Sequence, residues 1–200
     1  MKINEPYLLL EIDDKKFIFL IVKYTEDLNY KILDTLKVES SGVKNGKIID
    51  AEISSKIIKE NLNTIEKKND FIFKTITIIN NQKNFDCVNI SGFKKLSGSQ
   101  VSEEDISFIL NDIKTLIVDN YSEKILIHLF NSNFILDNNN SSNLPIGLHG
   151  EFYCHHLTFF LLPKNDVKNI KLVLNKCDLE VERIILKPFT EGIKKINSAN

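Results

Sequence analysis

The chain has 200 residues, 42% of them hydrophobic and 26% charged, and its formal net charge is −1. This length allows one large domain or two small ones, each with a buried core. The near-neutral charge and a single arginine, Arg183, argue against nucleic acid as a partner, because binding to phosphate backbones needs a concentrated cationic surface.

The cysteine pattern is typical of a protein from a reducing compartment. Cys87, Cys154 and Cys177 are widely spaced and form no CxxC pair, so we expect reduced, buried thiols in a cytosolic protein. The first residues do not have the pattern of a signal peptide, and no stretch approaches the length of a membrane span.

Three strands are predicted at the start of the chain. Pro6 to Ile12, Lys16 to Tyr24 and Tyr30 to Val38 are rich in β-branched and aromatic residues. The links between them are only a few residues long, which requires neighbouring strands to be antiparallel. The chain is therefore expected to begin with a three-stranded meander.

A helix and a fourth strand follow. Asp50 is expected to cap a helix that runs to about Lys68, and Phe71 to Ile79 is expected to form a strand. The predicted apolar face of the helix consists of Ile53, Ile57, Ile58, Leu62 and Ile65. The resulting order, β-β-β-α-β, is that of the first lobe of a ribonuclease-H-like or actin-like nucleotide fold.

The polar segment Asn80 to Asn84 begins a different region. A short strand from Phe85 to Ser91 precedes a loop and a helix that Ser102 caps, with acidic residues in its first turn. The predicted buried face of this helix consists of Ile106, Ile109, Leu110, Ile113 and Ile117. Two further strands, Lys124 to Phe130 and Asn133 to Asp137, lead to a loop rich in Asn and Ser at 138–143.

The last part of the chain is predicted to return to the first sheet. A turn from Leu144 to Gly150 opens a long strand, Glu151 to Leu162, and then come a helix, Asn165 to Cys177, and a strand, Val181 to Leu186. We expect a mixed α/β fold: a ribonuclease-H-like or actin-like lobe that carries an inserted strand-helix-strand-strand subdomain.

The histidines and cysteines do not predict a metal site or a catalytic group. His128 and His149 are separate from the run Cys154-His155-His156, in which alternation along a strand sends His155 to the opposite face. A Cys–His dyad would need a third group to orient the imidazole, and none is evident. The Phe- and Ile-rich strands Tyr153 to Leu162 and Phe71 to Ile79 are either core packing or surfaces that recruit a partner.

Taken in order, six segments resemble the N-terminal half of the FtsA family of bacterial cell-division proteins, within the actin and heat-shock-chaperone ATPase superfamily. They are Leu10-Glu11-Ile12, the loop Ser41 to Asp50, the helix start Val101 to Ile106, the spacing of His128, Phe134 and Asp137 with Asn131 in place of a proline, the turn Pro145 to Gly150, and Asn169 with the run Cys177 to Val181, in which Asp178 replaces a glycine. In the turn Pro145 to Gly150, His149 stands where the family usually has serine. The resemblance covers nearly the whole chain.

The resemblance implies a division into two family subdomains. Residues 1–81 and 163–200 would form the actin-like lobe 1A, and residues 82–162 the inserted subdomain 1C. The residues expected to mark the interaction subdomain are Ile106, Pro145, Gly147, His149 and Gly150. The implied function is that of a scaffold on the cytoplasmic face of the inner membrane at the division site. Its partners would be FtsZ, FtsN-like division proteins and further copies of itself.

The family's remaining equipment, including a second lobe and a terminal membrane-binding amphipathic helix, has no counterpart in this sequence. We therefore expect a fragment or a truncated gene product. Two alternatives remain open: a type IV pilus assembly scaffold of the PilM kind, and the nucleotide lobe of an actin-superfamily ATPase or kinase.

The resemblance also implies ATP and Mg²⁺ as cofactors of the full-length family, at a hairpin that here contains Glu11, Asp13, Asp14 and Lys16. Two of these acids stand where the family needs small and hydroxyl residues. A carboxylate about 4 Å from a phosphate charge costs on the order of 4 kcal/mol at an effective dielectric near 20. We therefore expect this chain alone to bind ATP·Mg²⁺ weakly or not at all and not to be an enzyme; a solvated polar turn is the competing interpretation.

Overall fold

The computed structural model describes residues 5–25, 29–141 and 143–199. In chain order the elements are β1 Pro6–Ile12, β2 Lys16–Tyr24, β3 Tyr30–Glu39, β4 Val43–Lys44, β5 Lys47–Ile48, α1 Ala51–Asn69, β6 Thr75–Asn80, β7 Asp86–Lys95, α2 Glu103–Asn120, β8 Lys124–Leu136, β9 Asn139–Ser141, β10 Phe152–Pro163, α3 Lys164–Asn175, β11 Glu180–Leu186 and α4 Lys187–Ala199. The mixed α/β class predicted from the sequence is confirmed.

The chain divides into two compact units. Unit 1 consists of Met1–Asn84 and Asn165–Asn200, and unit 2 of Phe85–Lys164. Unit 1 contains a five-stranded sheet in the order β11-β6-β1-β2-β3, and unit 2 a four-stranded sheet in the order β7-β10-β8-β9.

The sheet of unit 1 combines two kinds of pairing. β1, β2 and β3 form the predicted antiparallel meander, whereas β1, β6 and β11 run parallel. Because these three strands are parallel, their carboxyl ends meet at one edge of the sheet. Alternate side chains are buried along the strands, as in Leu10, Ile12 and Phe19, each 0% exposed, and this burial supplies most of the stabilisation of the sheet.

Helix α1 begins as predicted but buries a different set of side chains. The Asp50 carboxylate accepts a hydrogen bond from the Ile53 N–H at 2.9 Å, which satisfies one of the free donors at the helix start. Ile53 itself is 44% exposed, so its assignment to the buried face is wrong. The side chains buried on α1 are Ser54, Ser55, Ile58, Leu62 and Ile65.

One predicted boundary in unit 1 is also wrong, and one helix was not predicted. The strand expected from Phe71 begins at Thr75, because the chain leaves α1 through Asp70 in the left-handed region and the Phe73 N–H donates to the Glu66 carboxylate at 2.8 Å. The residues after Leu186 form helix α4, which the sequence analysis did not predict. Pro188 is compatible with that helix because it lies in the first turn, where a backbone N–H has no helical partner.

In unit 2, α2 covers one face of the sheet. Its apolar residues Ile106, Ile109, Ile113 and Ile117 are buried, as predicted, against β-strand residues such as Phe159. Gly92 lets the helix approach β7, because a Cβ there would lie 2.4 Å from the Ile109 side chain.

Three predictions about unit 2 are wrong. The two strands expected at 124–130 and 133–137 are the single strand β8, which absorbs two irregularities in its pairing with β10. The polar loop expected at 138–143 contains β9, although residue 142 lies outside the described residues. Cys87 is exposed and not buried, whereas Cys177 is buried; Cys87 lies on the face of β7 that alternates away from α2.

A capping box fixes the start of α2. The Ser102 hydroxyl accepts from the Asp105 N–H at 3.2 Å, and the Asp105 carboxylate accepts from the Ser102 N–H at 2.9 Å. The Lys94 ammonium also donates to this buried carboxylate. Lys94, and then the Ser102 N–H, hold the pKa of Asp105 below its usual value of 3.8.

Because the folded-state pKa of Asp105 is depressed, its ionisation stabilises the protein above the unfolded-state pKa and ceases to do so as the pH falls through the folded-state value. We expect Asp105→Asn to lower the free energy of unfolding by about 2 kcal/mol at pH 7 and by clearly less at pH 3. Urea denaturation at both pH values measures the difference. Asp112→Asn, on the exposed face of the same helix, is the matched control, and an equal loss at both pH values would contradict the assignment.

Candidate functional site

Polar side chains gather at the carboxyl end of the parallel strands of unit 1. Open α/β sheets bind ligands in the crevice outside this edge, and the β1–β2 turn, the segment after β6 and the start of α4 all lie there. The site therefore contains Glu11, Asp13 and Asp14, as the sequence analysis expected, together with residues that it did not select.

Glu11 is paired with a lysine from the far end of the chain. Its carboxylate accepts from the Lys187 ammonium at 2.5 Å, and its side chain is 15% exposed. The hydrogen bond to Glu11 raises the pKa of Lys187 above its usual value of 10.5, so the lysine stays charged. No local pattern could have predicted this pair, because it depends on β11 lying in the same sheet as β1.

Asp13 is held by the segment that follows β6. Its carboxylate accepts from the Asn81 side-chain amide at 2.6 Å and from the Lys15 N–H at 3.1 Å. These hydrogen bonds, that of Asn81 first, lower the pKa of Asp13 below 3.8. The Ser40 hydroxyl donates to the Asp13 carbonyl at 2.8 Å. Asp13 thus connects the β1–β2 turn to β6 and to the end of β3.

Asp14 binds two consecutive backbone N–H groups. One carboxylate oxygen accepts from the Asn45 N–H at 2.8 Å and the other from the Gly46 N–H at 2.7 Å. Asn45 and Gly46 form the two-residue turn between β4 and β5, with φ values of 54° and 71°. Positive φ at both positions is the signature of a type I′ hairpin, for which Asn-Gly is a preferred sequence.

The β4–β5 turn is also fixed on its other side. The Asn80 side-chain amide donates to the Gly46 carbonyl at 2.8 Å, and the Asn80 side-chain oxygen accepts from the Gln82 N–H at 2.8 Å. Gln82 donates in turn to the Asp166 carboxylate at 2.7 Å, which Lys47 also contacts at 3.0 Å. The turn is therefore held between the β1–β2 turn and the exit from β6.

Lys16 is not part of this arrangement. It is exposed at the start of β2, opposite Glu39 of β3. The cavity at the site has a volume of about 220 Å³, and Lys16 is not among its lining residues. These are Asp13, Asp14, Lys15, Asn45, Asn81 and Lys83.

The residues present do not fit a nucleotide phosphate. The two backbone N–H groups that could bind a phosphate oxygen already bind Asp14, and Glu11 and Asp13 are engaged by Lys187 and Asn81. The cavity of about 220 Å³ is also smaller than the 300–1,000 Å³ or so that is common for cofactor and small-molecule sites.

The interaction residues expected in unit 2 have mixed accessibility. Ile106 and Pro145 are buried, whereas Gly147 and His149 are exposed. Hydrogen bonds connect the turn Pro145 to Gly150 to the segment before α2. The Gly147 N–H donates to the Val101 carbonyl at 2.9 Å, and His149 Nδ1 lies 2.8 Å from the Gly98 carbonyl. Gly150 is buried and donates to the Ser99 carbonyl at 3.2 Å.

Apolar side chains that the sequence analysis did not select are exposed in unit 2. Leu144, Ile146 and Leu148 of the turn are 41%, 46% and 57% exposed, and Phe93 and Phe152 are 75% and 54% exposed. Phe93 of β7 lies opposite Cys154 of β10, so Phe93 and Phe152 share one face of the sheet. Unit 1 also exposes large apolar side chains, such as Tyr30, Ile49 and Ile72. What is typical of an interaction surface is a group of them on one face, as Phe93 and Phe152 are.

A Cys–His cluster lies on the same sheet. His156 lies between Cys154, at 3.7 Å from Nε2, and Ser91, at 2.7 Å from Nδ1, so a third group exists that the sequence analysis did not find. Burial raises the pKa of Cys154, which opposes formation of the thiolate. His155 is buried on the opposite face, as alternation predicted. Within the described ranges no three His, Cys, Asp or Glu residues are arranged to hold a metal ion.

No family model matches the chain, but curated FtsA proteins do. The chain is 26% identical over 176 residues to the cell division protein FtsA of Buchnera aphidicola from Acyrthosiphon pisum, an alignment that covers 88% of this chain and 42% of the relative. It is 22% identical to FtsA of Escherichia coli K12, with 88% and 41% covered, and 21% identical to FtsA of Neisseria meningitidis, with 92% and 44% covered. The chain thus spans about two fifths of the length of these relatives.

A solved structure shares the fold. The chain superposes on a protein of the PilM–PilN type IV pilus biogenesis complex with a TM-score of 0.58 and 13% identity, over 92% of this chain and 48% of that one. The fold is of the actin-like class. Within that class, the sequence similarity makes this chain FtsA-like.

We expect the whole chain to bind ATP·Mg²⁺ with a dissociation constant no lower than about 1 mM, equivalent to at most roughly 4 kcal/mol of binding free energy. The reason is that the Asn45 and Gly46 N–H groups and the Lys187 ammonium are already bound to the chain's own carboxylates. Isothermal titration calorimetry measures the affinity of the unmodified chain. The variant Asp70→Asn, in the loop after α1, is titrated in the same way and shows how far the affinity changes when one negative charge is removed away from the site. A micromolar dissociation constant for the unmodified chain would contradict the expectation.

Proposed function

We propose that this chain is the N-terminal, FtsA-like part of a cell-division scaffold. The scaffold would link FtsZ filaments to the inner membrane on its cytoplasmic face at the division site, recruit later division proteins of the FtsN kind and associate with further copies of itself. The observation that carries the proposal is sequence similarity to FtsA proteins that extends through both structural units, over 88–92% of the chain.

Each unit takes a different part in this proposal. Unit 1 corresponds to family subdomain 1A and unit 2 to the inserted subdomain 1C, for which the sequence analysis gave the limits 82–162. Unit 1 supplies the framework, because its polar residues bind one another at the carboxyl edge. Unit 2 supplies the recruiting surface, because its exposed aromatic residues Phe93 and Phe152 share one face of the sheet, where a protein partner can cover both.

Recruitment would rest on Phe93 and Phe152, with the turn residues Leu144, Ile146 and Leu148 as a second exposed apolar group. Aromatic side chains are enriched among the residues that dominate binding energy at protein interfaces. None of the helices in the described ranges is long and apolar enough to cross a membrane.

A second candidate function is that of a type IV pilus assembly scaffold. The shared fold with a protein of the PilM–PilN complex favours it. The two functions differ in where they place the protein in the cell. In the organism that encodes the chain, a fluorescent fusion at mid-cell that disappears when FtsZ is depleted supports division, whereas a position that follows the pilus machinery and ignores FtsZ supports the alternative.

We expect Phe93→Glu to weaken recruitment without unfolding the chain. The side chain is 75% exposed, so the folded state tolerates a charge there, whereas an apolar interface loses an anchor and affinity falls by about tenfold or more. Fluorescence anisotropy with the cytoplasmic segment of the FtsN-like protein from the same organism measures the affinity, and circular dichroism checks the fold.

Ile72→Glu is the matched control, because Ile72 is 68% exposed but belongs to unit 1. Equal losses of affinity in both variants, or a loss only in Ile72→Glu, would contradict the assignment of recruitment to unit 2. Binding that remains unchanged in Phe93→Glu would remove that residue from the surface.

A further inference from the structure

We propose that the Asn45–Gly46 turn is a backbone anion-binding site and that Asp14 is its resident anion, a carboxylate that takes the place of a phosphate or sulfate group. This inference concerns unit 1 and goes beyond the scaffold function. It starts from the disagreement between a nucleotide-binding fold class and a site whose donors are already in use.

The geometry of the contact is that of an anion in a backbone concavity. The two N–H groups belong to consecutive residues and each donates to a different oxygen of one carboxylate, at 2.8 and 2.7 Å. These distances are in the range of charge-assisted hydrogen bonds. Consecutive N–H groups in a tight turn form a concave donor pair that is suited to anions.

The contact is not an ordinary local turn. Asp and Asn side chains commonly bind backbone groups two residues away, but Asp14 is 31 residues from Asn45 and 32 from Gly46. The carboxylate is therefore brought to the donors by the fold of unit 1, as an external ligand would be, and not by the conformation of the turn itself.

The turn is held in place without Asp14. A Cβ at Gly46 would lie 2.4 Å from the backbone nitrogen of Gln82, so the turn packs directly on the chain that leaves β6. The Asn80 amide fixes the Gly46 carbonyl at 2.8 Å, and the flanking strands pair Lys44 with Lys47. The donors are thus preorganised, and removing the carboxylate leaves them pointing at the same position.

The surroundings suit a small anion. Lys15 and Lys83 line the same cavity of about 220 Å³, and Asp14 and Asn45 are exposed, so a solute can reach the donors. Asp14 nevertheless excludes a free anion, because a tethered carboxylate acts at a high effective concentration. The site is therefore open to an inorganic oxyanion only when Asp14 is removed.

The test is rescue of Asp14→Ala by inorganic phosphate. The melting temperature of the full chain is measured in potassium chloride and in potassium phosphate at equal ionic strength. In chloride the variant is expected to melt about 3 °C below the unmodified chain, since it leaves two N–H groups without their anion. Phosphate is expected to restore at least half of that loss and to leave the unmodified chain almost unchanged.

Asp34→Ala is the control. Asp34 also makes several hydrogen bonds, but its shortest is to the flexible ammonium of Lys68, at 2.7 Å, so its removal leaves no preorganised donor pair and phosphate should not rescue it. Equal effects of phosphate on Asp14→Ala, Asp34→Ala and the unmodified chain would overturn the proposal.

If Asp14→Ala does not fold in chloride, Asp14→Ser replaces it, because the shorter serine side chain stays polar but leaves room for an anion at the two N–H groups. Calorimetric titration of that variant with inorganic phosphate then decides: saturable binding that the unmodified chain lacks supports an anion site, and its absence overturns it. Neither result depends on whether the chain acts in cell division.

Discussion

The arrangement of unit 1 at the carboxyl edge of its sheet depends on one buried amide, the side chain of Asn80. It is 0% exposed, and its donor and acceptor are satisfied by the Gly46 carbonyl and the Gln82 N–H. A buried amide left without partners costs about 1–3 kcal/mol, so the β4–β5 turn and the exit from β6 are fixed relative to each other. The Asn45 and Gly46 N–H groups face Asp14 because the Asn80 side chain binds the Gly46 carbonyl of that turn.

The sequence was sufficient wherever structure is decided by neighbouring residues. The meander of β1 to β3 follows from β-branched runs and short links, and the start of α2 follows from Ser102 and three acids at the right spacing. Alternation along a strand correctly separated His155 from His156. These features need only the local period of the chain and the chemistry of caps.

The sequence was insufficient wherever distant segments meet. Glu11, Asp13 and Asp14 were selected, but their partners Lys187, Asn81 and the Asn45–Gly46 turn lie 176, 68 and about 31 residues away. Without these partners the two aspartates could be interpreted as charges that repel phosphate or as part of a solvated polar turn. The structure gives them another role, since each carboxylate accepts hydrogen bonds from unit 1 itself. For the same reason the exposure of Ile53 was not predicted, because it depends on tertiary packing. The continuity of β8 was not predicted either, because it depends on bulges in the pairing with β10.

The hydrogen bond from Gln82 to Asp166 joins the two places where the chain leaves and re-enters unit 1. The ends of unit 2 are adjacent as well, because Asp86 of β7 lies opposite Leu161 of β10. Because the two chain ends are adjacent in each unit, unit 2 has the properties of an insertable domain. A short peptide could replace it in unit 1, and it could be inserted between neighbouring strands of another protein. A lineage could therefore exchange or remodel unit 2 without rebuilding the sheet of unit 1.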